Sequence, residues 1–577
     1  MEKRVLLAVV LSFMVLYGFQ AMFPAPETPK PGAAQAPSGA AAPPSAPGTE
    51  AKPESAATPP ASVEPSAAPV VADTSETEIV VESEAVRATF TSRAGALKSW
   101  RLKKYFDSAG QPLELVPQDA PAGTRRPFTL AVDDPALSAT LANALFRPSA
   151  TALSVGGSPA TLTFDYSDAS GVSATKQFVF DPKSPYLVSV TATVTKAGAP
   201  LVPTIQWGPA LGTALDANAA GYYNMPPRAI VHQGGEERYD ADELAEVANA
   251  QGSYEFVGVD DHYFMVAAVN LKEPVQVRYE ALQVPLRPGT DKPPPPYVSW
   301  SARFANAPTN VPFFIGPKDY DVLRAVSPDL TRAIDFGIFG PLVVPLLRSL
   351  KWVNTYVGNY GWSIVLLTVL INLVLFPLRH KSAVSMRKMQ QIQPQVKAIQ
   401  DRYAKLKMTD PAKSKMNQEL MELYKAKGAN PASGCLPMLL TFPVLFAFYA
   451  FLSQAIELRG APWVGWIHDL SRHDPYYVTP ILMGASQFWQ TKMMPPTGDP
   501  AQQRMMMFMP LIFMTMFIWA PSGLVLYWTV SNLWAIGQQV LTNRMIGPSQ
   551  PRATGAAAER RMKQAGGGKS DAAKERK

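Results

Sequence analysis

The sequence predicts a multi-domain polytopic membrane protein with six transmembrane helices, an N-terminal anchor plus a five-helix core. An all-β sandwich domain is expected on the outer side and a helical hairpin on the inner side. Three observations predict this. Four long uncharged runs fill the C-terminal part: Trp352–Leu378, Gly428–Ile456, Pro475–Thr491 and Met505–Asn543. Before them come many short alternating runs separated by Gly, Pro, Asn and Asp. Lys and Arg crowd some connections and avoid others.

The elements follow in chain order. Residues 1–23 read Met-Glu-Lys-Arg and then an apolar run from Val5 to Phe23, with no clear small-residue cleavage site. This is the pattern of an uncleaved signal anchor. In residues 24–76, 28 of 53 are Pro or Ala, so burial cannot offset ordering entropy and a disordered linker is expected. From 77 to 325, runs such as Tyr186-Leu187-Val188-Ser189-Val190-Thr191 and Tyr263-Phe264-Met265-Val266 predict short strands of a sandwich. Residues 335–358 place Arg348, Lys351 and Thr355 on one polar stripe amid leucines, which predicts an amphipathic helix lying in the membrane interface.

Residues 359–545 form the five-helix core. The last uncharged run has 39 residues, roughly 58 Å as one helix and about twice a bilayer core. It must fold back, and Pro521-Ser522-Gly523 supplies the turn. Within the core, segment 380–427 predicts a helical hairpin, one arm from about Ser382 to Leu406 and the other from about Pro411 to Lys427. Met386, Met389, Ile392, Val396 and Ile399 recur at helical spacing on the first arm, and Tyr424 stands on the second. Residues 546–577 are a basic Gly/Ala-rich tail.

Charge gives the orientation. Loop 379–427 carries 12 Lys/Arg against 4 Asp/Glu, and tail 547–577 carries 8 against 3. Hairpin 457–474 carries only 2 against 3. The positive-inside rule puts loop and tail in the cytoplasm, with both termini, and the β domain outside. One Cys excludes a disulfide framework, and five His without HExxH give no metal motif. No phosphate-binding glycine loop occurs, so no cofactor is expected.

Polar groups inside apolar spans are costly and mark candidate sites. Thr368, Asn372 and Arg379 lie within about 40° of one helix face. On the last span, Trp528, Asn532 and Gln539 form a line, with Tyr527, Ser531 and Gln538 beside it. Ser486 and Gln487 lie on the fourth span. A hydrophilic cavity between helices accounts for all of them, and so do interhelical hydrogen bonds. No Asp or Glu falls within a core span, which argues against an ion relay. Two other classes stay open at this stage. A solute transporter would show repeats and a charged midplane site. A sugar-processing β-sandwich would need paired catalytic groups, and His262 after Asp260-Asp261 is the weak signal for one.

The chain resembles the YidC/Oxa-type membrane protein insertases in their Gram-negative form. The resemblance rests on Leu423-Tyr424-Lys425 with Asn430-Pro431, on Gly434-Cys435-Leu436-Pro437, and on Trp466-Ile467-His468-Asp469-Leu470 with Asp474-Pro475-Tyr476-Tyr477. Pro480 to Gly484, Phe508-Met509-Pro510, and Pro521 through Trp528 with Ser531-Asn532-Leu533 complete it. It implies a non-enzymatic insertase and chaperone for inner-membrane proteins, with a periplasmic β-super-sandwich. Its hydrophilic groove would be open to cytoplasm and lipid. The implied partners are nascent inner-membrane proteins, the Sec translocon, membrane lipids, and the ribosome through the basic loop and tail; DNA is not among them. The polar positions already read in the spans then become the candidate groove residues: Thr368, Asn372, Arg379, Gln487, Tyr527, Trp528, Ser531 and Asn532. The hairpin contacts are Met386, Met389, Val396 and Tyr424. One departure stands out: where the family usually carries a groove Arg, five residues before Pro377, this chain has Asn372. The nearest cation on that face is Arg379, seven residues and about 10 Å closer to the cytoplasm.

Overall fold

The computed structural model describes residues 69–107, 109–120, 123–211, 225–244, 250–283, 296–403, 412–428, 436–493 and 500–546. The expected anchor, most of the linker, the turn of the hairpin, Cys435 and the basic tail lie outside the described residues.

Strict alternation produces the β domain. Val172–Phe180 buries every second residue, and Leu187–Lys196, paired to it antiparallel, does the same. Such strands bury one face and leave the other to solvent. They sit in an eleven-stranded sheet in which Pro69–Val71, Ala160–Asp168, Val172–Phe180, Leu187–Lys196, Val311–Pro317, Phe264–Val269, Phe256–Asp260, Arg228–His232 and Glu236–Tyr239 are successive neighbours. Two five-stranded sheets complete the sandwich. Trp207, Trp300, Phe128, Phe178 and Phe313 pack between the layers, with Trp207 and Trp300 stacked at 6.2 Å. The first strand, Pro69–Val71, falls inside the segment expected to be a linker. Three residues are too few to register against its Pro/Ala-rich composition, and only pairing with Ala160–Asp168 orders them.

Nine helices follow or interrupt the strands among the described residues. They are α1 (Pro135–Asn143), α2 (Tyr320–Val326), α3 (Gly340–Val357), α4 (Tyr360–Arg402), α5 (Ala412–Ala426), α6 (Leu436–Gln454), α7 (Val478–Met493), α8 (Pro500–Met516) and α9 (Ser522–Ile546). Helix α3 ends at Gly358, whose φ of 68° is the left-handed cap that glycine adopts freely. Asn359 then caps α4 through its side chain. The expected start of a separate hairpin arm near Ser382 is not seen. Helix α4 runs unbroken through Pro377 and Pro394 to Arg402. Helix α5 packs against its distal part, where Arg402 pairs with Glu419 at 2.8 Å and Ile392, Ile399 and Leu420 are buried. Val396 and Tyr424 are half-buried in this unit, while the side chains of Met386 and Met389 lie outside the described set. The long last run is broken between Met516 and Ser522.

The β domain and the helices share an interface. The His262 ring Nε2 lies 2.7 Å from the Ser453 carbonyl at the end of α6. Arg459 stacks over Phe264 and Tyr263. Lys351 on α3 bridges Asp319, Asp321 and Glu457 at 3.3, 2.6 and 2.8 Å. Burial works against the Lys351 charge, yet Glu457 and Asp321 hold the ammonium above its ordinary range. These contacts remove the case for a catalytic pair at 260–262. Asp260 is buried and ion-paired to Lys318 and Arg238, and His262 is spent on Ser453.

Candidate membrane groove

Helix α4 is amphipathic in reverse. Trp362, Leu366, Leu370, Leu373 and Val374 are exposed, while Ser363, Thr368 and Asn372 are buried. Apolar residues outside and polar residues inside suit a hydrocarbon solvent. Residues Tyr360–Ser385 are long and apolar enough to cross a bilayer, with a mean hydropathy of 2.2. Among the described residues no other helix meets that test by itself. The described parts of α7 and α8, 16 and 17 residues, measure about 24–26 Å.

The buried stripe of α4 is a relay of hydrogen bonds. The Thr368 hydroxyl donates to the Ile364 carbonyl at 2.6 Å. The Asn372 amide nitrogen donates to the Thr368 carbonyl at 2.8 Å, and its oxygen accepts from the Arg379 guanidinium at 2.7 Å. Helical side chains lean toward the N-terminus, so an arginine two turns further on reaches back along its own face. The 10 Å gap expected between Asn372 and the nearest cation is therefore closed by the side chain. Asn372 positions the charge that it does not itself carry. Arg379 remains half-buried. Among the described residues, Asn372 takes one of the five guanidinium donors, and the Tyr527 hydroxyl stands close to the charge.

The two lines on α9 face different neighbours. Tyr527 is buried, stacked on Phe448 at 4.2 Å, with Ser531 beside its hydroxyl. Gln538 donates to the Phe376 carbonyl at 3.4 Å. This line faces α4 and α6, and through Gln538 and the Tyr527 hydroxyl it meets the Thr368–Asn372–Arg379 stripe. The other line does not join it. Trp528 packs on Phe513 and Phe517 of the α8 segment. Asn532 donates to Ser486 and to the Met483 carbonyl of α7, at 3.1 and 3.4 Å. Gln487 contributes a buried amide oxygen that, like that of Gln538 and the indole N–H of Trp534, has no partner among the described residues. The pattern reading did not single out Trp534 or the His380–Thr542 contact at 3.4 Å. The latter joins α4 to α9 one turn beyond Phe376, and its signal is the polar pair at matching depth.

Loop 455–474 packs across the start of α4 and α9. Asn359 donates to the Pro462 and Trp463 carbonyls. A Cβ on Gly361 would run into the Trp463 ring, so glycine is required there. Ser522 and Gly523 donate to the Arg472 and Leu470 carbonyls. Asp474 accepts from Trp466, Tyr476 and Thr479, and these bonds hold its carboxyl below the usual range against the effect of burial. No groups of His, Cys, Asp or Glu that could hold a metal ion are present among the described residues.

Two family models match this chain. That of the 60Kd inner membrane protein covers residues 352–549, and that of the YidC periplasmic domain covers residues 78–349. The membrane protein insertase YidC of Geobacter sulfurreducens is 36% identical over 96% of this chain and 100% of its own length. That of Citrifermentans bemidjiense is 37% identical over 95% and 100%. A solved YidC insertase with its first transmembrane domain resolved aligns over 82% of this chain and 94% of that one, at 18% identity and a TM-score of 0.33. With both family models covering it in succession, the chain belongs to the YidC family of inner-membrane proteins with a periplasmic domain.

Proposed function

We propose that this protein inserts and folds inner-membrane proteins without enzymatic chemistry; its relatives are named membrane protein insertases. The observation that carries the reading is the α4–α9 face. It is a polar seam of Thr368, Asn372, Arg379, Tyr527 and Ser531 inside helices whose outer faces are apolar. A substrate segment entering there exchanges water for the guanidinium and unpartnered amide groups. Bare hydrocarbon would instead cost several kcal/mol per unsatisfied group. The membrane potential adds about 2.3 kcal/mol per charge per 100 mV.

In this reading α4 and α6–α9 are the five core spans, residues 1–23 supply a sixth, and both termini are cytoplasmic. Packing of loop 455–474 across the start of α4 and α9 supports a groove open toward the α4–α5 hairpin. That hairpin then stands in the cytoplasm, with its basic surface available to ribosome or Sec translocon. Helix α3 lies in the outer interface.

The test is insertion of two matched short clients, one with an acidic translocated tail and one neutral, into vesicles containing the purified chain. Arg379→Ala should slow the acidic client about tenfold and the neutral one by less than threefold, since only the former gains from the charge. Asn372→Leu should mimic it, because the guanidinium loses its anchor. Full activity of both variants on both clients would remove the groove from this face.

A further inference from the structure

Where the β domain meets α3, a groove of about 560 Å³ is lined by Tyr320, Arg324, Thr331, Val344 and Arg348, with Gly340 and Pro341 at its floor. That volume is in the range of small-molecule sites. Its chemistry is one-sided. Two arginines, a phenol and a hydroxyl line it, and no carboxylate does. Among the described residues neither Arg324 nor Arg348 has a carboxylate within 4 Å. The nearby acids Asp319 and Asp321 are taken by Lys351, while Asp329 and Asp335, on the segment after Pro328, do not line the groove. The Arg348 guanidinium lies 6.0 Å from the Tyr320 ring centroid, which orients it. The 18-residue helix α3 starts here, and its N-cap Phe339 brings no side-chain acceptor. The positive end of the helix dipole therefore adds to the two guanidinium charges.

The groove also borders an apolar edge. On α3, Leu342, Trp352 and Tyr356 are 45%, 61% and 75% exposed. At 100° per residue Trp352 and Tyr356 lie about 40° and 80° round from Arg348, away from the buried Val343, Leu347 and Leu350. Exposed Trp and Tyr beside a cation are the arrangement that settles at headgroup depth.

We propose that this groove binds the phosphate of an anionic phospholipid of the outer leaflet. Arg324 and Arg348 clamp the phosphate, Tyr320 and Thr331 meet the headgroup hydroxyls, and the acyl chains lie along Trp352 and Tyr356. The proposal rests on the reading that α3 lies in the membrane interface. A lipid held there would fix the height of α3, and through Lys351 the height of the β domain, relative to the bilayer.

The test uses the full chain purified in detergent, titrated with phosphatidylglycerol or phosphatidylcholine, with adducts counted by native mass spectrometry. The native chain should retain phosphatidylglycerol in preference. The double variant Arg324→Gln/Arg348→Gln should lose at least tenfold in apparent affinity. Arg332→Gln, the same replacement at one exposed arginine outside the lining, should lose less than twofold. Both clamp arginines are exposed, and unchanged melting temperatures will show that the fold survives their replacement. Equal losses in the double variant and Arg332→Gln, or none in either, overturn the site. Displacement of phosphatidylglycerol by glycerol phosphate at equal concentration overturns the lipid in favour of a soluble phosphate. Brominated-lipid quenching, compared between the native chain and Trp352→Phe, tests the underlying reading separately. A smaller quenched fraction in the variant keeps α3 in the interface whatever the adducts show; no difference removes it.

Discussion

The β domain and the helical core each hold a cation among uncharged acceptors, and what remains of each cation's hydrogen-bonding capacity separates structure from function. Lys176 is fully buried in the sandwich; burial pushes its ammonium down to about 7, and three carbonyl acceptors favour the charged form. Its ammonium donates to the carbonyls of Ala94, Gly95 and Phe128, which matches its three protons to three acceptors. All three acceptor residues have positive φ, at 57°, 50° and 67°. The ammonium thus ties together turns that the chain would otherwise avoid. Among the described residues Arg379 spends one donor on Asn372 and makes no other hydrogen bond, with the Tyr527 hydroxyl near its charge. A saturated cation holds a fold together, whereas an unsaturated one can receive a substrate.

The comparison breaks most visibly at Lys176. Lys176→Met keeps the aliphatic volume and leaves three buried carbonyls unpaired, at about 1–3 kcal/mol each. The β domain should lose on the order of 3 kcal/mol or more and become susceptible to protease at temperatures the native chain resists. A variant as stable as the native chain would show that the cage is incidental.

Legibility in the sequence divides along the same line. Period-two burial in Val172–Phe180, the break before Ser522 and the Thr368–Asn372–Arg379 stripe depend on neighbours within a few residues, and pattern alone exposes them. The Lys176 cage joins positions 82 and 48 residues apart, and His262 meets Ser453 across 191. No periodicity records such pairs. The sorting of α9, with Tyr527 toward α4 and Asn532 toward α7, depended on helix packing for the same reason. The Asn372–Arg379 bond is the intermediate case. Its spacing of seven was legible, and the backward lean of helical side chains would have supplied the rest.

The contact between the two regions should depend on pH. Burial pushes the His262 imidazole down to about 4. Its Nε2 donates to Ser453, and Nδ1, where a second proton would go, is buried without a partner among the described residues. Below its ordinary value of 6.5 the unfolded state binds the proton first, so stability is lost as pH falls from 6.5 toward 4, by about 3 kcal/mol in total. Melting of the detergent-solubilised chain at pH 7 and pH 4 should show this loss, and His262→Gln should reduce it by that amount. An unchanged pH dependence in the variant would assign the acid sensitivity to carboxylates elsewhere.

A smaller effect is expected at the far end of α4. Val396 is half-buried between Ile392 and Ile399, on the seam that faces α5. Val396→Pro removes one backbone bond two residues after Pro394 and should cost about 3 kcal/mol locally. Because the hairpin lies away from the polar seam, insertion should fall only severalfold, at normal abundance in the membrane. Unchanged insertion would make the hairpin a spacer.

The finest test saturates the cation in place. Asn372→Asp keeps the size of the side chain and turns an amide acceptor into a carboxylate against the Arg379 guanidinium. The pair would then be neutral and the guanidinium donors drawn toward the new carboxylate, making Arg379 resemble Lys176. The acidic client should lose its advantage, by a factor of a few, and insert at the rate of the neutral one. The neutral client should be little affected, since hydration of the seam by Thr368, Ser531 and the free amides is retained. If both clients slow together, the seam works through the number of its open donors and not through charge. If neither slows, the attraction for acidic segments arises elsewhere, and the basic hairpin surface becomes the place to look.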